Sequence, residues 1–346
     1  MLAVRHGRSA WALLATALAL GVCVAACAPR PRARVGARAG GGEPAASNAG
    51  RDGATCASCH AEVAEEWRAS LHRSAFTDRP FARAYAREPR AFCRDCHAPE
   101  GDPSAGVSCL SCHRVDERAP RPAGSPHPPH RAATGPSAAC ARCHEFAFDD
   151  ERARGAIALM QSTVREHAAS TSRETSCVSC HMPRVAGHRS HRFGITRDAG
   201  ALRDALAVEA VRVGDARVRL RLRALGVGHA FPTGDLFRGL QVSVETDDDP
   251  TDVAFARPTA RPPAIATKLL TRRFTTVRGP TGASIVVETS DDRLAPDRAS
   301  EVELDLGEHG RGRPVRWKVE YHRAEVADDD PAPDARVVLH TGRLSP

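Results

Sequence analysis

Lysine is nearly absent from this 346-residue chain: Lys268 and Lys318 are the two among 49 basic residues. Aromatic residues make up 4% of it, and methionine occurs three times. Residues 54–199 have few aliphatic runs, so with so few aromatic rings they cannot assemble a conventional apolar core. Residues 28–53 go further, being Pro, Ala, Gly and Arg with almost no large apolar side chain. That composition excludes a core and predicts a disordered tether reaching roughly 25–30 Å. Residues 200–346 carry no nucleophile triad, phosphate-binding loop or acid pair. Unassigned thiols are missing too: of twelve cysteines, two lie in the N-terminal leader and ten fall into one repeated pattern.

That pattern is Cys-x-x-Cys-His, written five times between Cys56 and His181. The copies pair Cys56 with Cys59, Cys93 with Cys96, Cys109 with Cys112, Cys140 with Cys143 and Cys177 with Cys180. They are followed directly by His60, His97, His113, His144 and His181. Two thiols three residues apart on one turn can each add to a vinyl group of the same porphyrin, and the next residue sets an imidazole under the iron. A zinc knuckle or a redox dithiol also uses Cys-x-x-Cys, but neither needs a histidine after every second cysteine. The expectation is five covalent haems c. Spread over this stretch they leave about 25 residues each, so the porphyrins themselves would be the core, wrapped by short helices and loops. Cys93 and Cys109 are near neighbours in sequence, which makes their two haems the expected tightest pair.

The leader fits export. Arg5, His6 and Arg8 precede an uncharged apolar run, Ala10 to Val22, that ends in Val24-Ala25-Ala26-Cys27. This resembles a lipobox, with Cys23 removed with the signal and Cys27 lipid-modified; cleavage after Ala28 and an uncleaved anchor are the alternatives, though the run is short for a span. Thioether attachment of haem is completed outside the cytoplasm, in agreement.

A formal charge of +7 raises the question of nucleic acid. Loss of Arg5 and Arg8 with the leader lowers it, and five haems would bring about ten propionate charges, returning the sum close to zero. Arginine forks suit propionates, so the excess reads as internal neutralisation and no nucleic-acid partner is expected.

Sixth ligands must come mostly from histidine. After leader removal only Met160 and Met182 remain, and Met182 directly follows proximal His181. Bis-histidine, low-potential irons follow. The candidates are His72, His127, His130, His167, His188, His191 and His229, while His309, His322 and His340 read as surface residues of the C-terminal region.

The segments CASCHAEVAEEWRASLHRSAF, GVSCLSCHRVD, CARCHEF, TSCVSCHMPRVAGHRSHRFG and GHAFPTGD resemble the multihaem cytochromes related to the nitrifier tetrahaem cytochrome and hydroxylamine oxidoreductase. The resemblance covers roughly residues 54–245. It implies distal ligation by His72, His191 and His229, and by the Pro-flanked His130 with His127 as its rival. The sequence departs from the group at Glu166-His167-Ala168-Ala169-Ser170, which repeats Glu66-Trp67-Arg68-Ala69-Ser70 with His167 where the group has Trp. His167 is thus a surface helix residue or a fifth distal ligand, and one haem is left open to five-coordination.

Beyond residue 199 the period changes to two. Val218, Leu220 and Leu222 alternate with arginines; Leu240-Val242-Val244, Val302-Leu304-Leu306 and Val315-Trp317-Val319-Tyr321 follow suit, with shorter runs at Ile285 to Val287 and Val337 to Leu339. This predicts an antiparallel β-sandwich. The expected architecture is α + β in two domains: leader 1–27, tether 28–53, haem domain 54–199 and β-sandwich 200–346. The expected role is an exported electron carrier whose partners are other redox proteins and, through Cys27, a membrane. The alternatives are an oxidoreductase of a small nitrogen or sulfur species at a five-coordinate haem, and a docking subunit of a larger cytochrome complex.

Overall fold

The computed structural model describes residues 56–115, 130–131, 137–148, 158–193, 198–247, 263–279, 282, 284–323 and 335–346. The leader, the tether and His127 lie outside them, as does the side chain of His130. Residues 45–346 form one compact unit. No helix among the described residues is long and apolar enough to cross a membrane.

The first part is built of short pieces. Helices Ala61–Arg68, Arg79–Arg87, Ala91–His97, Cys109–Cys112, Ala138–His144, Thr163–Ala168 and Cys177–His181 alternate with three two-stranded antiparallel pairs. These are β1 (Arg114–Val115) with β2 (His130–Arg131), β3 (Glu145–Ala147) with β4 (Leu159–Ser162), and β5 (Arg184–Val185) with β6 (His188–Arg189). Each Cys-x-x-Cys-His motif forms one helical turn, and the chain then changes course: into helix Ala61–Arg68 after the first, into β1 after the third and into β3 after the fourth. Few large side chains in this part are buried; Ala64, Ala98 and Ala105 are its buried apolar residues.

The second part holds the apolar core. After helix Ala199–Asp204, capped by Asp198 at the backbone of Gly200 and Ala201, come β7 (Leu206–Arg212), β8 (Arg217–Ala224), β9 (Gly239–Thr246), β10 (Ile265–Leu270), β11 (Arg272–Arg278), β12 (Ser284–Asp291), β13 (Ala299–Asp305), β14 (Val315–His322) and β15 (Arg336–Leu344). One antiparallel sheet has the order β13-β8-β7, another β10-β9-β14-β15, and β11 pairs with β12. Val218, Leu220 and Leu222 of the first sheet share one cluster with Leu240, Val242 and Val244 of the second, all fully buried. The outward side of β8 is a charge ladder: Arg217 and Arg219 pair with Glu303, and Arg221 with Glu209. The alternation thus separates an apolar side from an ionic one, as its period requires.

One expectation is corrected here. His322 is buried, not a surface residue. A register shift between Val319 and Glu320 breaks the alternation of β14, and as that strand lies between β9 and β15 its last residues, Glu320, Tyr321 and His322, are all enclosed. Burial lowers the His322 pKa. His309 sits in the exposed turn of helix Gly307–Gly310, and half-buried His340 meets the Arg203 carbonyl at 3.2 Å.

The two parts are joined by polar side chains. Arg272, whose side chain is 3% exposed, donates to the carbonyls of Leu159 and Met160 at 2.6 and 3.0 Å and pairs with Glu288. Asp297 accepts from the N–H and hydroxyl of Thr171, both at 2.7 Å. Phe148 meets Phe274 edge to face at 5.1 Å.

Candidate functional site

Each Cys-x-x-Cys-His motif forms a helical turn, which places its two thiols on one side. In the first, the His60 N–H donates to the Cys56 carbonyl at 2.9 Å; in the third, His113 donates to Cys109 at 2.8 Å, with Ser108 capping the turn at Leu110. None of the ten motif cysteines is paired in a disulfide. Thiols of different motifs also meet. Cys96 lies against Cys143, Cys56 against Cys109 and Cys140 against Cys177. Burial, then the neighbouring Cys177, pushes the Cys140 thiol up to about 11. The second and fourth motifs thus come together, as do the first and third.

The histidines fall into pairs drawn from distant segments. His72 stands 6.3 Å from His144 between ring centres, His191 stands 6.0 Å from His113, and His229 stands 6.1 Å from His181. Two imidazoles bound on opposite sides of one metal, each by a bond of about 2 Å with its nitrogen about 1 Å from the ring centre, are separated by about 6 Å. All three pairs have that span. Edge-on aromatic contacts reach a similar separation, so the span gains its weight from each pair's containing one histidine of a Cys-x-x-Cys-His motif. Among the described residues no group of three or more His, Cys, Asp or Glu gathers as a bare metal-ion site. The donor set therefore fits a metal carried in a planar macrocycle better than a four-ligand zinc shell.

Protonation state and ring orientation suit the same role. Burial drives His72 and His144 down to about 4 and lowers His97, His181, His191 and His229, so these imidazoles are neutral near pH 7 with a lone pair to give. Three have Nδ1 against a backbone carbonyl: His97 on Ala75 at 2.7 Å, His191 on Arg189 at 2.8 Å and His229 on Ala230 at 3.0 Å. Donation from Nδ1 leaves Nε2 free, the arrangement that orients histidine ligands.

His97 is surrounded differently. Phe81 lies flat on it, 10° from parallel, and Phe76 and Tyr85 complete an aromatic group. His167 lies beside the His181–His229 pair: its ring edge would be 3.3 Å from a Cβ placed on Gly228. Residue His188 meets Glu66 at 3.3 Å.

Sequence reasoning missed the two glutamates of the repeat, whose side chains are each 11% exposed. Glu66 accepts the His191 N–H at 2.8 Å, which holds its carboxyl below the usual range. Glu166 accepts from Ser162 at 2.6 Å, Thr233 at 2.5 Å and Arg293 at 2.7 Å. Ser70 and Ser170 are equivalent too: both are buried, and each donates to the carbonyl three residues back, at 2.7 and 2.8 Å. The signal was present in Glu-x-x-Ala-Ser written twice, each copy on a helix beside a candidate ligand.

In fold the chain is similar to a penta-haem cytochrome c552 from Thermochromatium tepidum, with a TM-score of 0.58 and 18% identity over 84% of this chain and 97% of that one. No protein-family model and no curated protein matches the sequence. Both chains thus share a mixed α + β architecture with many antiparallel strands.

Proposed function

We propose that this protein is an exported multihaem c-type cytochrome that passes electrons through five covalently bound haems. The observation that carries this reading is the set of three cross-segment imidazole pairs at 6.0–6.3 Å, each containing one Cys-x-x-Cys-His histidine. Bound haem supplies one-electron chemistry at an iron held by two histidines, at low potential. The chain's own residues do the rest. The cysteine pairs fix the attachment points, and the fold sets Cys96 near Cys143, Cys56 near Cys109 and Cys140 near Cys177, as short electron steps require. The proximal ligands are His60, His97, His113, His144 and His181. The distal ligands are His72 toward His144, His191 toward His113 and His229 toward His181, with His130 or His127 serving a further haem.

On this reading residues 54–199 are the haem domain and residues 200–346 a β-sandwich that presents the His229 loop. Kinship with the nitrifier tetrahaem cytochrome group is part of the proposal. The partners are periplasmic or membrane redox proteins. Intact-mass measurement after acid–acetone extraction tests the load: the expected mass is that of the chain with five haems, and four or fewer would remove a motif from the scheme.

The aromatic group around His97 favours a second reading, in which that haem is five-coordinate and the protein converts a small nitrogen or sulfur species. An EPR spectrum of the oxidised protein separates the two. One high-spin haem supports the second reading; low-spin signals alone exclude it.

Anchoring is proposed through lipid on Cys27. Cys27→Ser is expected to move the protein from the membrane fraction to the soluble one. A Cys27→Ser protein that still sediments with membranes would assign the anchor to the uncleaved hydrophobic segment or a partner.

A further inference from the structure

We propose that Arg293 and Glu166 form a buried clamp that positions His229 against His181; the proposal rests on the bis-imidazole reading above. Their side chains are 4% and 11% exposed and meet at 2.7 Å. Arg293 also donates to the Pro232 carbonyl at 3.1 Å, three residues beyond His229, and is held by both oxygens of Asp291 at 2.7 and 2.9 Å. Glu166 in turn accepts from Thr233 at 2.5 Å. The two consecutive residues Pro232 and Thr233 are therefore each tied to one member of the ion pair. Next to Arg293, Leu294 exchanges both backbone hydrogen bonds with Phe231, at 2.9 and 3.1 Å. Every residue from Phe231 to Thr233 is thus fastened, and the loop leaves this anchorage directly into Ala230 and His229.

The other end of the loop is close-fitting. A Cβ on Gly228 would come within 2.8 Å of the Ser172 side chain, so the backbone before His229 lies on the turn that follows helix Thr163–Ala168. Glu166 belongs to that same helix. The ligand is held between a helix that carries the acid and a β12–β13 connection that carries the arginine.

A buried ion pair is by itself weak evidence for stability, because desolvation of both charges offsets their attraction. Burial alone would raise the Glu166 carboxyl, yet the Arg293 charge and three hydrogen bonds hold it below the usual range, so the pair is ionised and fully used. The repeat supplies an independent parallel. At the equivalent position Glu66 accepts the backbone N–H of His191, another histidine with a motif partner about 6 Å away. In each copy the buried acid holds the main chain around a distal-side histidine. Glu66 does so directly, and Glu166 does so through Thr233 and Arg293.

The test uses the dithionite-reduced holoprotein and carbon monoxide, which binds an iron only when its distal imidazole leaves. Arg293→Met combined with Glu166→Gln is expected to raise the rate of carbon monoxide uptake at one haem about tenfold, the scale of losing a charged hydrogen bond. Thr233→Val, which removes one tie and leaves the ion pair, should give a smaller rise at the same haem and decides the matter if the double variant does not fold. Arg293→Lys, able to reach Glu166 or Pro232, should fall back toward the wild-type rate. An unchanged rate in the clamp variants, with or without a lower melting temperature, would overturn the clamp while leaving His229 a ligand. If His229→Ala itself leaves every haem low-spin, the underlying ligand assignment fails, and the clamp with it.

Discussion

His72→Ala, His191→Ala and His229→Ala are each expected to turn one haem in five from low-spin to high-spin, and each a different one. The effect on that haem is complete rather than graded, because a metal that loses one of two axial imidazoles has no sixth ligand. Millimolar imidazole should restore the low-spin spectrum, which a variant that had merely misfolded would not show. The pairing gives a sharper test than the count. His72 is twelve residues from His60 in sequence, yet its ring faces His144 across 6.3 Å. In a protein stripped of its fourth attachment site by Cys140→Ala and Cys143→Ala, His72→Ala should therefore convert no further haem. If it still produces a high-spin signal there, His72 serves another iron and the cross-segment scheme is wrong. Phe193 meets both His72, at 4.3 Å, and His191, at 6.0 Å, so small spectral changes are expected to pass between these two haems.

The five Cys-x-x-Cys-His motifs are legible in the sequence because their spacing lies within one helical turn, whatever the surrounding chain does. Their pairing with distal histidines is not. His72 lies in the first repeat and His144 after the fourth pair of cysteines; His229 lies in a loop between β8 and β9 and faces His181. No local rule relates such positions, since the contacts depend on loops closing over dozens of residues. The alternating runs of β8, β9 and β13 are equally legible, since one side of each faces an apolar core. By contrast β10 and β11 carry no such alternation. Ile265, Leu269 and Val277 are exposed, and Lys268, Arg272 and Arg273 interrupt the apolar positions, so period two never emerges. The end of β14 misled for a different reason: a bulge invisible to periodicity encloses His322. The repeat of Glu66 and Ser70 as Glu166 and Ser170 is visible in the sequence, but the role of the acids is not, because their partners His191, Thr233 and Arg293 lie far along the chain.

Gly106→Ala is expected to be far more damaging than its size suggests. Gly106 has a φ of +60° and belongs to a strap that ties the third attachment motif to the segment carrying His72. The Val107 N–H donates to the His72 carbonyl at 2.8 Å, Trp67 Nε1 donates to the Val107 carbonyl at 2.8 Å, and Arg73 donates to the Ser104 carbonyl. A Cβ on Gly106 would stand 2.4 Å from the His72 carbonyl oxygen and 2.5 Å from that of Arg73. Neither atom belongs to a movable side chain, so the strap itself must shift. Gly187 is the control, since it also has a positive φ, +88°, but nothing lies within 4 Å of its Cβ position. Gly187→Ala carries only the left-handed backbone cost, about 1–2 kcal/mol. Gly106→Ala carries that cost and the displacement of packed backbone, together about 3 kcal/mol or more. In guanidinium denaturation of the holoprotein the Gly106 variant should unfold at a clearly lower midpoint than the Gly187 variant. Its defect should also reach the haem held by His72, as a high-spin fraction absent from Gly187→Ala. Equal midpoints and equal spectra would mean that the strap does not lie against His72 in solution, and that His72 is positioned by its own helix and turn alone.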